Sequence, residues 1–460
     1  MAGGVRFTIE AIDLFERDVK LRMPFRFGVV TLTESPQAFA RVRIRLDNGK
    51  EATGAAAELL APKWFDKNPA LSNEDNFDQL RLAVSLARDA YLADDTNTAF
   101  GHHRAHYAAQ VEAGAKRGLN SLVANYGPAL IDRALLDALC RACGVSFYEA
   151  VQTNLPGLTR FEDLDLPAFA AGLTPAATIA ARHTVGLVDP ITAAENKAPV
   201  NDGLPETLQD VVERYGQRYF KLKVGGDVHA DLDRLAAIAS VLNGIKGPYY
   251  ASLDGNEQYD DVEGVAELWA RMKADPRLAR MVESIIFIEQ PIRRQNAFAK
   301  SVASLSAEKP VIIDESDDSL DAFPRAKALG YRGVSSKTCK GLYKSLINRA
   351  RCAAWGEGFM MSAEDLTIQP GLALQQDLAL VSLLGLTHVE RNGHHYVNGM
   401  ASLPESEQAA FLTAHPDLYE RSFGAVRLRI EAGDLAIGSL GCEGFASAAM
   451  PDWHSMRTLQ

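Results

Sequence analysis

Lys221, Lys223, Asp254, Glu289, Asp314 and Lys337 each stand where a short apolar run of this 460-residue sequence stops. From Lys223 onward they recur at intervals of 31, 35, 25 and 23 residues, the spacing of successive strand–helix units. Three carboxylates brought to one mouth repel, because like charges in a partly desolvated site disfavour joint ionisation. A divalent cation resolves this. An all-oxygen ligand set without Cys or His selects a hard ion, Mg²⁺ over Zn²⁺. Asp254, Glu289 and Asp314 are therefore the candidate Mg²⁺ ligands. The lysines then gain a purpose: an ammonium near other cations in a confined site loses basicity and becomes a base near neutral pH. Lys221 and the ion would both act on Lys223 in this way. Such a set suits removal of a proton next to a carboxylate, whose ene-diolate product a divalent ion stabilises. Any one of these charges is ordinary near a strand end. Five successive strands delivering an acid or a lysine at the same end are not.

The elements that must carry them read as follows. Short apolar runs lie at Leu166–Leu173, Tyr219–Gly225, Tyr249–Asp254, Ser284–Pro291, Pro310–Glu315, Gly333–Lys337, Phe359–Ser362 and Leu386–Arg391. Segments of helical periodicity, such as Ala230–Leu242 and Asp261–Lys273, separate them. Strands apolar on both faces that alternate with helices predict a parallel sheet, and eight units predict a closed barrel. The charges then fall at the C-terminal ends of the strands, where barrels of this kind build their sites. Lys221 and Lys223, two apart on one strand, face the same side, whereas Gln290 and Glu315 alternate with their neighbours and point away. Ahead of the barrel, Phe39–Asp47 alternates apolar and charged residues up to an Asp47-Asn48-Gly49 turn, and Ala55–Ala61 continues a meander. Helical patterns follow over 76–93 and 131–143. The expected organisation is an α+β domain over 1–160, a barrel over 161–400, and a segment over 401–460, with a strand-like Ala425–Glu431, that returns to the first domain. The stretch 174–215 is too long for one crossover and reads as an insertion.

Composition narrows the class. With 47% hydrophobic and 23% charged residues the chain has the balance of a globular protein with a full core, and it has no apolar run of membrane-spanning length. A net charge of -11 spread along the chain argues against nucleic acid and anionic membranes as partners. Its first residues lack a basic segment followed by an apolar one, and the cysteine count of 5 is odd, so the sequence predicts reduced thiols and a cytoplasmic location. Cys140-x-x-Cys143 lies within the helical pattern of Ala129–Val145 and has no second pair to complete a metal site, so it reads as helix core. The histidines of Gly101–His106 have no acid or Cys at ligand spacing and read as a polar surface segment. His394 and His395 follow the eighth strand and read as a loop without chemistry. Lys340 belongs to the loop after the sixth strand, and Lys223-Val224-Gly225-Gly226 is a weak anion cradle at most.

Lys221-x-Lys223, Asp254-x-Asn256, Glu289-Gln290-Pro291, Asp314-Glu315-Ser316 and Lys337 with Lys340-Gly341 together resemble the enolase superfamily. The likeness is to its muconate-lactonizing-enzyme-like subgroup, within the mandelate racemase/muconate lactonizing enzyme family. Ala134–Val145 looks like a helix of that family's capping domain, and the resemblance spans about residues 20–400. It implies a (β/α)7β TIM-like barrel closed by an α+β capping domain built from both ends of the chain. It further implies Mg²⁺ on Asp254, Glu289 and Asp314, Lys223 as the base on one face of a small-molecule carboxylate, and Lys337 as the acid or base on the other. Lys221 would tune Lys223 and help hold the substrate carboxylate, with Asn256 and Glu315 beside the metal or the substrate. Loops from the cap, here Pro24–Thr31, would shape specificity, and a homo-oligomer is implied. The outcome would be epimerisation, cycloisomerisation or β-elimination in a lyase or isomerase. The alternatives are an inactive barrel of the same fold serving as a binding or scaffold protein, which would not need bases on two faces, and a hydrolase barrel, which would more often use His ligands. The chain departs from the family in extra material around 60–110 and 174–215, in Lys340-Gly341-Leu342 where relatives commonly carry two glycines, and in Met360-Met361-Ser362, which lacks the strand-seven His of other subgroups.

Overall fold

The Asp47-Asn48-Gly49 turn, with Gly49 in the left-handed region at φ 84°, folds a strand that alternates in burial up to the turn against one that is buried over its last six residues. The fold was established from a computed structural model that describes residues 3–27 and 30–459. In it β1 (Arg6–Phe27), β2 (Val30–Leu46) and β3 (Glu51–Leu59) form an antiparallel meander. Its inner face is covered by α1 (Asn73–Leu92) and α3 (Ser121–Cys143), with α2 (Ala99–Ala115) behind them and a short strand, β4 (Asn97–Thr98), paired to β1. The extra material of 60–110 is thus largely two helices of this cap. A capping box between Ser72 and Asp75 starts α1. Gly144, at φ 69°, ends α3. Gly54 lets β3 lie directly on α3: a Cβ there would fall 2.1 Å from the Ala138 nitrogen. Cys140 is buried in α3, and all five thiols are unpaired.

After α4 (Phe147–Gln152) the chain enters the barrel, and here the first expected strand is corrected. Residues 166–171 are a helix, α5 (Leu166–Ala171), started by Asp165, whose side chain accepts from the Ala168 amide, with Pro167 in the first turn. The first barrel strand is instead β5 (Thr178–Val185), inside the stretch taken as an insertion. Its sequence hid it, because Arg182 and Thr184 face a polar barrel interior and His183 a neighbouring helix, so no apolar run marks the strand. What remains of the insertion is a loop from Gly186 to Thr207, and Asp202 in that loop holds Arg22 of β1 through two hydrogen bonds of 2.6 and 2.7 Å.

From there the units alternate as expected. They run α6 (Leu208–Tyr215), β6 (Tyr219–Lys223), α7 (Val228–Leu242), β7 (Tyr250–Asp254), α8 (Val262–Ala274), α9 (Ala279–Ser284) and β8 (Ile285–Glu289). They continue through α10 (Ala303–Glu308), β9 (Val311–Ile313), α11 (Ala322–Ala328), β10 (Gly333–Ser336), α12 (Leu342–Trp355), β11 (Met360–Ala363), α13 (Leu372–Leu383) and β12 (His388–Arg391). The eight strands β5–β12 are parallel neighbours in the order β11-β10-β9-β8-β7-β6-β5-β12. At the seam between β11 and β12, Asp365 accepts the Asn392 amide at 2.7 Å and donates its own amide to Glu390 at 3.3 Å, so side chains close the ring that the backbone leaves open.

A short helix, α14 (Gly393–Tyr396), and α15 (Glu405–Ala414) lead to the C-terminal strands β13 (Tyr419–Ser422) and β14 (Ala425–Leu428), which pair with each other. The tail serves both parts of the molecule: β15 (Asp434–Ala436) pairs with barrel strand β5, and β16 (Arg457–Thr458) pairs with β1 of the cap. Its return to the cap is therefore carried by the last strand and by ion pairs such as Arg17–Glu407 at 2.8 Å. No helix among the described residues is long and apolar enough to cross a membrane.

Candidate active site

Parallel register brings the charges to one level. Lys223 lies beside Asp254 and Asp254 beside Glu289 on neighbouring strands, while Ile312 pairs with Glu289 and carries Asp314 two residues further up. Lys337 follows β10 directly, and β10 stands four places from β6 in the eight-stranded ring, so Lys223 and Lys337 enter from opposite walls. Both lysines and all three acids are buried. Lys223 Nζ lies 2.6 Å from Asp254 Oδ2, and Lys337 Nζ 2.7 Å from Asp314 Oδ2.

Lys221 is engaged differently from the expectation. Its ammonium contacts Asp254 at 2.9 Å, Glu289 at 2.8 Å, Glu364 at 2.7 Å and Glu390 at 2.8 Å. Burial opposes its charge, but these four carboxylates outweigh burial and hold its pKa well above the usual lysine range, the reverse of a lysine losing basicity beside other cations. Its N–H groups are thus committed to protein carboxylates rather than to a substrate carboxylate.

The acids separate by environment. Burial, then the like charges of Asp254 and Glu364, push the Glu289 carboxyl well above its usual range. At Asp254 burial is outweighed by Lys221 and Lys223, and at Asp314 by Lys337 and Lys340, so both stay below it. Glu289 Oε2 is buried without a hydrogen-bond partner. An orphaned carboxylate oxygen beside two further acids, with no sulfur or imidazole among them, fits a hard divalent cation.

Several groups that position this layer escaped the sequence reading. Glu364 directly follows the seventh strand, β11, and Glu390 lies within the eighth, β12. Glu364 stands two residues beyond Ser362 on the same side, so alternation past the apolar run was the signal available. Beneath them Arg182, fully buried, donates to Ser362 Oγ and the Ala363 carbonyl at 2.9 Å and to Glu364. Lys340 does more than occupy a loop: its Nζ lies 3.4 Å from Asp314 Oδ1 and 2.9 Å from Ser335 Oγ. Gln290 points away from the centre as expected and braces the loop beyond β9, accepting the amides of Asp314 at 2.8 Å and Ser316 at 3.1 Å. Asn256 and Glu315 meet each other at 3.4 Å on the cap-facing side, where Lys67 of the cap reaches Glu315 at 3.4 Å and Glu257 at 2.5 Å.

Phe25, Phe27, Leu32, Ala61 and Trp64 of the cap roof the charged floor of a pocket, with Leu366, Thr367, Asp365 and Asn392 at its side. Of the expected specificity loop, Phe25 and Phe27 lie at this roof, and Gly28 and Val29 fall outside the described residues. The Trp64 ring lies 4.9 Å from Lys337 Nζ. Arg294 locks this corner, pairing with both Glu257 oxygens and donating to the carbonyls of Trp64 and Phe65.

Residues 203–426 match the family model described as enolase C-terminal domain-like. The barrel from the loop before α6 to β14 is thus similar to the enolase C-terminal domain. Solved structures of the same fold superimpose on almost the whole chain. A mandelate racemase/muconate lactonizing protein from Herpetosiphon aurantiacus is 18% identical with a TM-score of 0.62, over 96% of this chain and 99% of that one. The dipeptide epimerase of Enterococcus faecalis V583, complexed with Mg and L-Leu-L-Tyr, is 15% identical with a TM-score of 0.61, over 95% and 99%. A muconate lactonizing enzyme from Pseudomonas fluorescens, complexed with muconolactone, is 18% identical with a TM-score of 0.60, over 97% and 98%. No curated protein matches the sequence significantly. The (β/α)7β barrel and the α+β cap are both present, and the pocket lies between them.

His394 and His395 lie outside the barrel, where α14 packs them against His183 with ring centroids 5.4 and 4.9 Å from it. Burial holds the His183 imidazole neutral, pushed down to about 3; burial and Arg182 do the same for His388, and burial takes His415 to about 4. The unfolded chain takes up protons at these histidines below its ordinary pKa of about 6.5, and the folded chain does not. The contribution of these histidines to stability is therefore expected to be constant above about pH 6.5 and to fall as pH drops from there toward 3–4. Acid unfolding followed by circular dichroism tests this, and His183→Leu should move the midpoint to lower pH. A midpoint unchanged in that variant would remove His183 from the account.

Proposed function

We propose that this chain is a Mg²⁺-dependent isomerase or lyase that removes the proton α to a substrate carboxylate, with Lys223 and Lys337 working on opposite faces of the substrate. The observation that carries the reading is the delivery of two buried lysines from opposite barrel walls onto one layer of three acids. Asp254, Glu289 and Asp314 would hold the ion, which the unpartnered Glu289 Oε2 supports. When bound, Mg²⁺ supplies positive charge against the second negative charge that develops on the substrate carboxylate as the α-proton leaves. Lys223 Nζ takes the proton from one face. Lys337 returns one on the other face in an epimerisation, or protonates a leaving group in an elimination. Lys221 orients Asp254 and Glu289 through its direct contacts and keeps Glu364 and Glu390 compensated beneath them. The apolar roof of Phe25, Phe27, Leu32 and Trp64 excludes water, which strengthens every charge interaction below it. Similar folds include both an epimerase and a lactonizing enzyme, so epimerisation and cycloisomerisation stand beside β-elimination as outcomes. Five unpaired thiols support a cytoplasmic workplace.

The test is ¹H NMR of a carboxylate library in D₂O with Mg²⁺, run beside EDTA and the Lys223→Ala and Lys337→Ala variants. Metal-dependent loss of an α-proton signal that either lysine variant alters is the expected result. A carboxylate that binds in a Mg²⁺-dependent way, with neither exchange nor turnover, would replace this reading with a non-catalytic binding barrel.

A further inference from the structure

His102 and His106 stand one helical turn apart on α2, so their rings share a face of the helix. The sequence showed no acid in ligand spacing to them, and here the structure corrects the reading: His102 is fully buried, and Asp94, just past the end of α1, is folded against both rings. Asp94 Oδ2 lies 2.6 Å from His102 Nδ1 and 3.1 Å from His106 Nε2, and the three ligand atoms all lie within 4.8 Å of one another.

The cluster satisfies itself only in part. Asp94 Oδ2 is hydrogen-bonded to His102 Nδ1, while His106 Nε2, shielded from solvent at 3.1 Å from the same oxygen, and the buried His102 Nε2 find no well-aligned partner. The Tyr91 ring stacks on His106 at 4.6 Å, while its hydroxyl is spent on Asp132 at 2.8 Å and does not compete for the cluster. His103 turns away to Asp132 at 2.7 Å. The connection that carries Asp94 is also fixed in place. Thr96 Oγ1 meets Thr8 Oγ1 at 2.8 Å, Asn97 and Thr98 pair with β1, and Thr98 caps α2.

We propose that Asp94, His102 and His106 form a second metal site, for a divalent transition ion of the Zn²⁺ class, which ties the end of α1 to α2 in the cap. Two imidazoles and one carboxylate suit Zn²⁺ rather than Mg²⁺, and three protein ligands leave a position for water. The barrel acids offer oxygen alone, so the two sites separate by ion chemistry. Because the free ion binds the folded arrangement and not the unfolded chain, it adds to the stability of the cap.

The full-length chain, stripped with chelator and then held in excess Mg²⁺, is titrated with Zn²⁺ by calorimetry and with Co²⁺ by visible absorption. His102 is fully buried, so partly exposed His106 and Asp94 carry the test, as His106→Ala and Asp94→Asn. The expected result is one Zn²⁺ equivalent fewer in either variant than in the parent chain, with loss of the absorption bands of imidazole-bound Co²⁺. Counting the difference removes any zinc taken up by the barrel acids. No zinc uptake by the parent chain, or uptake that both substitutions leave unchanged, would overturn the site.

Discussion

Lys223→Ala and Lys337→Ala are each expected to slow proton abstraction by about a hundred- to ten-thousand-fold, the contribution of a positioned general base or acid. The two losses should differ in kind. Lys223 and Lys337 enter from opposite walls of the ring, so in the proposed reaction each would reach one face of a bound substrate. With an epimerisable substrate, Lys223→Ala should abolish deuterium exchange from one epimer and spare part of the exchange from the other, and Lys337→Ala should give the mirror pattern. Each substitution also frees a buried acid from its contact, Asp254 in the first case and Asp314 in the second. Folding and Mg²⁺ affinity therefore need measuring beside the rates. Equal loss from both epimers in both variants would place the two lysines on one face, and unchanged rates in either would remove that lysine from the chemistry.

Lys221→Met is expected to destabilise the metal-free chain by about 3–5 kcal/mol, the range for removing one partner of a buried ion pair. The reason is local: Asp254, Glu289, Glu364 and Glu390 share this one ammonium, and methionine replaces its volume without its charge. Carboxylates left in that state must take up protons or separate. Urea unfolding in EDTA reads the loss, and excess Mg²⁺ should recover part of it if Asp254 and Glu289 hold the ion. An unfolding midpoint equal to that of the parent chain would mean that the four acids are compensated elsewhere.

The two variants probe different links between sequence and site. Lys223 and Lys337 were legible because each stops an apolar run, and a run of alternating strands and helices fixes which end of the barrel those stops share. The spacing of Asp254, Glu289 and Asp314 was legible for the same reason. Gln290 was rightly turned outward by alternation, although its bracing of the Asp314 loop depends on a turn no spacing reveals. The strand that failed, Thr178–Val185, failed because its inward residues are Arg182 and Thr184, polar groups matched to a polar interior. Leu166–Leu173 was mistaken for it because a short apolar run has no period of its own, and Asp165 and Pro167 decided for helix.

By itself the sequence determined the barrel class, the end at which its site is built, and the acids and two lysines that stand there, since period and charge position are local properties of a chain. Tertiary structure alone decided that Lys221 is shared by four carboxylates, that Glu364 and Glu390 complete its cage, that Trp64 of the cap lies over Lys337, and that Asp94 joins His102 and His106. Each of these is a contact between residues far apart on their elements or brought round a turn. The energy of a charge depends on which neighbours replace its water, and that is settled only when the strands close into a ring and the cap comes down on it.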